Sequence, residues 1–209
     1  MDAEMIRDAA LQASGLLVKK IGGASVRPYQ PDGIWEAVAM PESDTKNYRR
    51  DAGEALYRRS MYTFWKRAAP PASMEIFNAT AREVSCLRRE RANTPLQALV
   101  TMNDVQFVEA SRYLAEQALK AGAGTNDSTK SLQTMAQRIL SRPFRKEELD
   151  IVNATLAEQL AYYKTNAEEA AKLITFGESK PDPALDAATL AAWTMVANQV
   201  MNLDEALNK

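Results

Sequence analysis

A chain of 209 residues that is 46% hydrophobic and 25% charged has the make-up of a globular protein with apolar material for one sizeable core. Twenty-six Lys and Arg face 27 Asp and Glu, a formal net charge of −1, so no long-range field directs the chain to nucleic acid. There is no histidine and one cysteine, Cys86, which excludes histidine-based acid–base chemistry, an intrachain disulfide, a Cys/His zinc or iron–sulfur cage and a Cys-x-x-Cys-His haem attachment. The chain is therefore read as free of cofactor and metal, and Cys86 as a small apolar residue packed inside.

The N-terminus, Met1 to Asp8, is charged and amphipathic, without the basic-then-apolar order of a signal peptide. No apolar run approaches the roughly 18–20 residues a membrane span requires, so the expectation is a soluble chain. Residues 3–20 show helical spacing (Met5/Ile6, Ala9, Ala13, Leu16/Leu17) with acids early and Lys19-Lys20 late, and Gly22-Gly23 is the expected stop. Residues 22–55 are punctuated by Pro28, Pro31, Gly33 and Pro41 and read as an irregular covering segment, with one helical turn at Ile34–Val38 anchored by Trp35. Residues 56–67 fit either a helix or a strand, and their aromatic, alternating content leans to an extended segment that Pro70-Pro71 ends.

Residues 94–209 read as the helical core. Thr94-Pro95-Leu96-Gln97 is a capping box with proline at the first helical position. An apolar stripe then runs through Leu96, Leu99/Val100, Phe107, Leu114 and Ala118 to Gly122, interrupted at Asn103-Asp104, where Asp104 caps a second helix. After the Gly122–Ser128 loop come a helix through Leu132 and Leu140, and a long one with Leu149, Val152, Leu156, Leu160 and Tyr163. Asn166-Ala-Glu-Glu169 reads as a second capping box whose short helix ends at Gly177, and Asp186 caps a last long helix that is apolar nearly all round. The expected fold is mainly α: an irregular helical bundle with a long loop region in its N-terminal half and room for one or two short strands, forming a single helical domain over 1–209.

Three stretches carry a resemblance: Tyr57-Arg-Arg-Ser-Met-Tyr-Thr-Phe-Trp-Lys-Arg67, Arg88-Arg-Glu-Arg-Ala-Asn-Thr-Pro-Leu-Gln-Ala-Leu99, and Ala191-Ala-Trp-Thr-Met-Val-Ala-Asn198 with Asn202-Leu-Asp-Glu205. They resemble the C-terminal domain of unknown function, family 1553 ("PSD-one"), of planctomycete-type proteins that also carry a cytochrome c domain. The resemblance covers nearly the whole chain. It implies a fragment of a larger exported or periplasmic multidomain protein whose haem belongs to another domain and whose other domains are partners. The chain departs from the family's habit at Val105 (usually proline), at Phe77-Asn78 (usually Phe-Asp), and at Arg145-Lys146-Glu147-Glu148, where a Thr-Pro cap is lost.

For chemistry, the candidate is the basic connector 82–91, in which Arg82, Arg88, Arg89 and Arg91 precede a helix N-terminus. Guanidinium groups beside exposed helix amides suit carboxylate, sulfate or phosphate, so a small anion or an acidic polysaccharide is a candidate ligand. Arg58, Arg59 and Asn93 are candidate contributors. The opposing reading ties these arginines to acids such as Glu54, Asp104 and Glu109 or to a neighbouring domain, and leaves Asn93 and Gln97 with capping alone. Glu147-Glu148 and Glu168-Glu169 fall in first helical turns, where acids favour the dipole, and adjacent helical residues point about 100° apart, so neither makes a glycosidase pair by itself. Trp35, Trp65 and Trp193 read as core before sugar platforms. Two functions follow: a non-catalytic interaction or scaffold domain binding through the arginine corner, or a subdomain of a carbohydrate-active enzyme with carboxylate or Tyr acid–base chemistry.

Overall fold

The computed structural model describes residues 1–123 and 128–208, so residues 124–127 of the expected inter-helix loop lie outside the described residues. The fold is mainly α, as the periodicity predicts; among the described residues there is no sheet, only isolated bridges. The chain divides into two compact units, a finer division than the single domain read from the sequence. One comprises Met1–Asp8 and Leu17–Val100, the other Ala9–Leu16 and Thr101–Lys209.

Helix α1 (Ala3–Ser14) contributes residues to both units and is shorter than its apolar spacing suggested. Gly15 takes φ 93°, a left-handed conformation that ends a helix at little cost only for glycine, and Val18 beyond it already pairs with Arg58. In the first unit, α2 (Ile34–Val38) is the expected single turn. Trp35 is buried, edge-on to Tyr48 at 4.8 Å and tilted against Phe64 at 5.5 Å, with Lys66 Nζ 5.0 Å over its ring.

Residues 56–67 are neither one helix nor one strand. Two 3₁₀ turns, Gly53–Tyr57 and Ser60–Tyr62, flank extended Arg58, and bridges join Val18 to Arg58 and Val26 to Thr63. What fixes this shape is a buried guanidinium. Arg7 of α1 donates through Nη1 to the Arg58 carbonyl at 2.8 Å and Ser60 Oγ at 3.1 Å, and through Nη2 to the Leu56 carbonyl at 2.7 Å. Asp8 Oδ1 accepts from the Ser60 amide at 2.8 Å and its hydroxyl at 2.7 Å. Buried carbonyls with no strand partner are thus satisfied by charge-assisted donors. A short helix, α3 (Ala72–Ile76), follows Pro70-Pro71.

Helix α4 (Pro95–Asn103) begins at the expected box. Thr94 Oγ1 accepts from the Gln97 amide at 3.3 Å, and Gln97 Oε1 accepts from the Thr94 amide at 3.1 Å. Thr94→Ala is expected to cost about 1 kcal/mol, the usual loss of an N-cap acceptor, read as a shift of the urea midpoint; an unchanged midpoint would show that the Gln97 arm suffices alone. The face of α4 that packs is not the one its leucines suggested. Gln97 and Thr101 are buried, whereas Leu96 and Leu99 are exposed. Gln97 Nε2 donates to the Ile76 carbonyl at 3.0 Å, and Thr101 Oγ1 donates to Asn202 Oδ1 at 2.7 Å.

In the second unit, α5 (Val105–Ala121), α6 (Thr129–Leu140), α7 (Lys146–Thr165) and α8 (Ala167–Ile174) all pack on α9 (Ala187–Met201), and α10 (Asp204–Leu207) closes the described chain. Helix α9 buries Leu190, Trp193, Val196, Val200 and Met201, the central position expected of a helix apolar nearly all round. Asp104 caps α5 by accepting from the Gln106 amide at 2.9 Å, and Asp186 caps α9 by accepting from the Thr189 amide at 2.8 Å. The box expected at Asn166 does not form. Its side-chain nitrogen donates back to the Tyr162 carbonyl at 2.8 Å, closing α7 instead of opening α8, which ends at Ile174 and not at Gly177. At the start of α7, Glu148 accepts from the Arg145 amide at 2.7 Å, the one arm of a capping box that needs no acceptor on arginine. Glu148 also binds Arg142 through both oxygens, and Arg142 binds Glu205 as well. The Arg142 contact, with the Arg145 amide second, pulls the Glu148 carboxyl down to about 2.

Candidate functional site

The segment between α3 and α4 is irregular and largely exposed although it is rich in Ala, Arg, Glu and Leu, and two of its residues, Asn78 and Arg82, hold positive φ of 58° and 62°. No backbone amide from residue 80 to 92 donates to another described residue. The segment is placed by side chains. Trp65 Nε1 donates to the Ala81 carbonyl at 3.2 Å, and the Arg82 guanidinium lies 4.2 Å over the Trp65 ring. At the other end Arg89 Nη1 meets Glu4 Oε2 at 2.6 Å, and Arg91 Nε meets Asp2 Oδ1 at 3.2 Å. The hydrogen bond that Arg89 donates to Glu4 raises the Arg89 pKa, outweighing desolvation. Asp2 immediately precedes α1 and Glu4 lies in its first turn, both within the same unit, and neither is among the acids expected to take the arginines. Asp104 caps α5, and Glu109 is buried in the second unit.

Arg88 is different. It is exposed, and among the described residues its side chain makes no hydrogen bond or ion pair. It borders two hollows: one of about 780 Å³ lined by Asp2, Arg88, Arg89, Glu90, Arg91 and Ala92, the other of about 590 Å³ running from Thr80 to Arg88. Arg88, Arg89 and Arg91 therefore stand together, with Arg82 at the far end of the second hollow.

The other candidates fall elsewhere. Arg58 is buried, donating to the carbonyls of Ala24 at 2.8 Å and Gly22 at 2.5 Å and lying 3.8 Å over the Tyr62 ring, so it fastens the Gly22-Gly23 loop. Arg59 is exposed, and no hydrogen bond or ion pair among the described residues joins Arg58 or Arg59 to the corner. Asn93 is exposed beside the Thr94–Gln97 cap. Cys86, expected inside, is exposed in the segment, its thiol directed to the Arg88 carbonyl at 3.1 Å. Trp35 and Trp193 are core, and Trp65 is half-buried under Arg82.

Sequence reasoning missed a second polar constellation, inside the second unit. Glu109, Arg112 and Glu116, spaced 3 and 4 along α5, are all buried. Glu109 Oε1 accepts from the Ser179 amide at 2.7 Å and its hydroxyl at 2.6 Å. Arg112 Nη2 donates to the Ser179 carbonyl at 2.7 Å and hydroxyl oxygen at 2.6 Å, while Nη1 pairs with Glu116. The signal available was opposite charges at helical spacing along a stripe otherwise apolar. This constellation ties the loop after α8 to α5.

The fold and the site define a helical protein with an irregular, arginine-bearing segment exposed ahead of a capped helix. The chain belongs to the PSD1 family, proteins of unknown function (DUF1553), whose model matches residues 1–156. No curated protein and no solved structure matches it. No helix among the described residues is long and apolar enough to cross a membrane.

Proposed function

We propose that this chain is a non-catalytic interaction domain of an exported multidomain protein, and that it takes an acidic ligand, or the acidic surface of a neighbouring domain, at Arg88, Arg89 and Arg91. The exported setting beside a cytochrome c domain rests on the resemblance of its motifs. The observation that carries the binding role is Arg88: an exposed guanidinium with no acid of its own, beside two others held in place by Asp2 and Glu4. Arg89 and Arg91, held by their acids, keep further N–H groups free to donate, and Arg88 beside them can add charge-assisted hydrogen bonds to an anion.

Sulfate is expected to raise the melting temperature more than chloride at equal ionic strength, and added chloride to erode the gain. A ligand that binds only the folded state stabilises by RT ln(1 + [L]/Kd), about 2.7 kcal/mol at a hundredfold excess over Kd. Sulfate also stabilises proteins by exclusion from their surfaces, so the decisive comparison is with Arg88→Ala. That variant should melt like the parent in chloride and lose the specific sulfate increment. An identical sulfate response in parent and variant would end the proposal.

A further inference from the structure

We infer that the natural occupant of this site is a protein segment in which carboxylates flank a large apolar side chain, the apolar group seating against Val84 and Leu87 while the carboxylates meet Arg88 and Arg82. The inference rests on the binding role proposed above and names its partner.

The hollow between Thr80 and Arg88 holds what an anion site does not need. Val84 is 82% and Leu87 102% exposed, two aliphatic side chains in a stretch of only four residues. Single exposed leucines are ordinary on protein surfaces. Here both lie between two arginines, and Leu96 and Leu99 are exposed on the helix that follows. Aliphatic groups beside arginine are the composition of a protein interface, where an apolar anchor supplies burial and guanidinium supplies direction. The backbone points the same way, because the unbonded amides from residue 80 to 92 can pair with an extended peptide main chain.

The charge selects the sign of the partner. Arg89 and Arg91 are neutralised by Glu4 and Asp2, so the guanidinium groups without an ion pair among the described residues are Arg88, at one edge of the apolar hollow, and Arg82, at the other. An acidic polysaccharide has the charge but no alkyl group to cover Val84 and Leu87. An anionic membrane would be met by an amphipathic helix with a broad apolar face, and no helix is formed between residues 80 and 92.

The test uses the whole chain and four probes in fluorescence or competition assays: a twelve-residue oligoglutamate peptide with two central leucines, the same peptide with serine in their place, oligogalacturonate of equal charge, and phosphatidylglycerol vesicles. The leucine peptide is expected to bind at least about tenfold more tightly than the serine peptide, a difference near 1.4 kcal/mol. Val84→Ser with Leu87→Ser should abolish that difference and leave serine-peptide binding unchanged, and Arg88→Ala should weaken both peptides. All replaced side chains are exposed, and matching melting curves in chloride confirm folding. Equal affinity for the two peptides, with Arg88 still required, overturns the inference and leaves the anion site standing. Tighter binding of oligogalacturonate or of vesicles overturns it in favour of those partners. Loss of all four responses, or indifference of all to Arg88→Ala, overturns the underlying anion site as well.

Discussion

Gly177→Ala is expected to destabilise the protein by about 4 kcal/mol and lower its melting temperature by about 10 °C. Gly177 sits at φ 87°, where alanine alone costs about 1 kcal/mol. The larger effect is spatial. A Cβ at this position would lie 2.2 Å from Glu109 Cδ, 2.5 Å from its Oε1 and 2.6 Å from its Cγ. Glu109 is fully buried and has nowhere to withdraw without releasing Ser179 and, through it, the guanidinium of Arg112. Disrupting one member of a buried charged network costs about 3–5 kcal/mol. Thermal and urea denaturation measure the effect, and a loss of 1 kcal/mol or less would mean that the loop after α8 simply moves aside. Glu109→Asp, which shortens the carboxylate arm, should harm the parent but be partly rescuing in the Gly177→Ala background, a coupling that a double-mutant cycle reads directly.

Arg7→Met should cost about 3 kcal/mol by a different route. Methionine keeps most of the apolar stem but donates nothing, so the carbonyls of Leu56 and Arg58 lose the charged donors that satisfy them. Each buried group left without a partner costs about 1–3 kcal/mol. Lysine should recover less than half of the loss, since one ammonium cannot reproduce the guanidinium fork that reaches both carbonyls and Ser60. Amide hydrogen exchange supplies the local readout. Protection should fall first at Val18 and Phe64, whose amides pair with the Tyr57 and Val26 carbonyls across the bridges of this region. A variant as stable as the parent would show that these carbonyls find other donors.

The parts of this fold visible in the sequence are those decided within a few residues. Thr94 with Gln97, Asp104 and Asp186 cap the helices they were expected to cap, because a cap needs only its own next three amides. Helix α1 ends sooner than its apolar spacing suggests, because Leu16 and Leu17 continue that spacing past Gly15, which turns the chain. The buried face of α4 departs from its leucine pattern for a different reason. Gln97 and Thr101 are buried on account of partners far along the chain, Ile76 and Asn202, and no local pattern announces those. The arginine corner was half legible. Arg88, Arg89 and Arg91 stand out by type and spacing, but Asp2 and Glu4, which fix two of them, lie at the chain's N-terminus, more than eighty residues earlier. Residue type also could not separate Arg58, absorbed by backbone carbonyls, from Arg88, which has none.

The place of α9 bears on how the second unit is made during synthesis. The ribosome delivers α5, α6, α7 and α8 before the one helix on which all four pack. At typical translation rates of about 5–20 residues per second, the interval between the end of α5 and the end of α9 lasts several seconds, long compared with the time a helix takes to form. During that interval Phe107, Leu114, Leu132 and Leu156, buried in the finished unit, have no central helix to bury them. Until α9 emerges, α5 and α6 can pack on each other, as α7 and α8 can, but the face that each turns to α9 stays open to water.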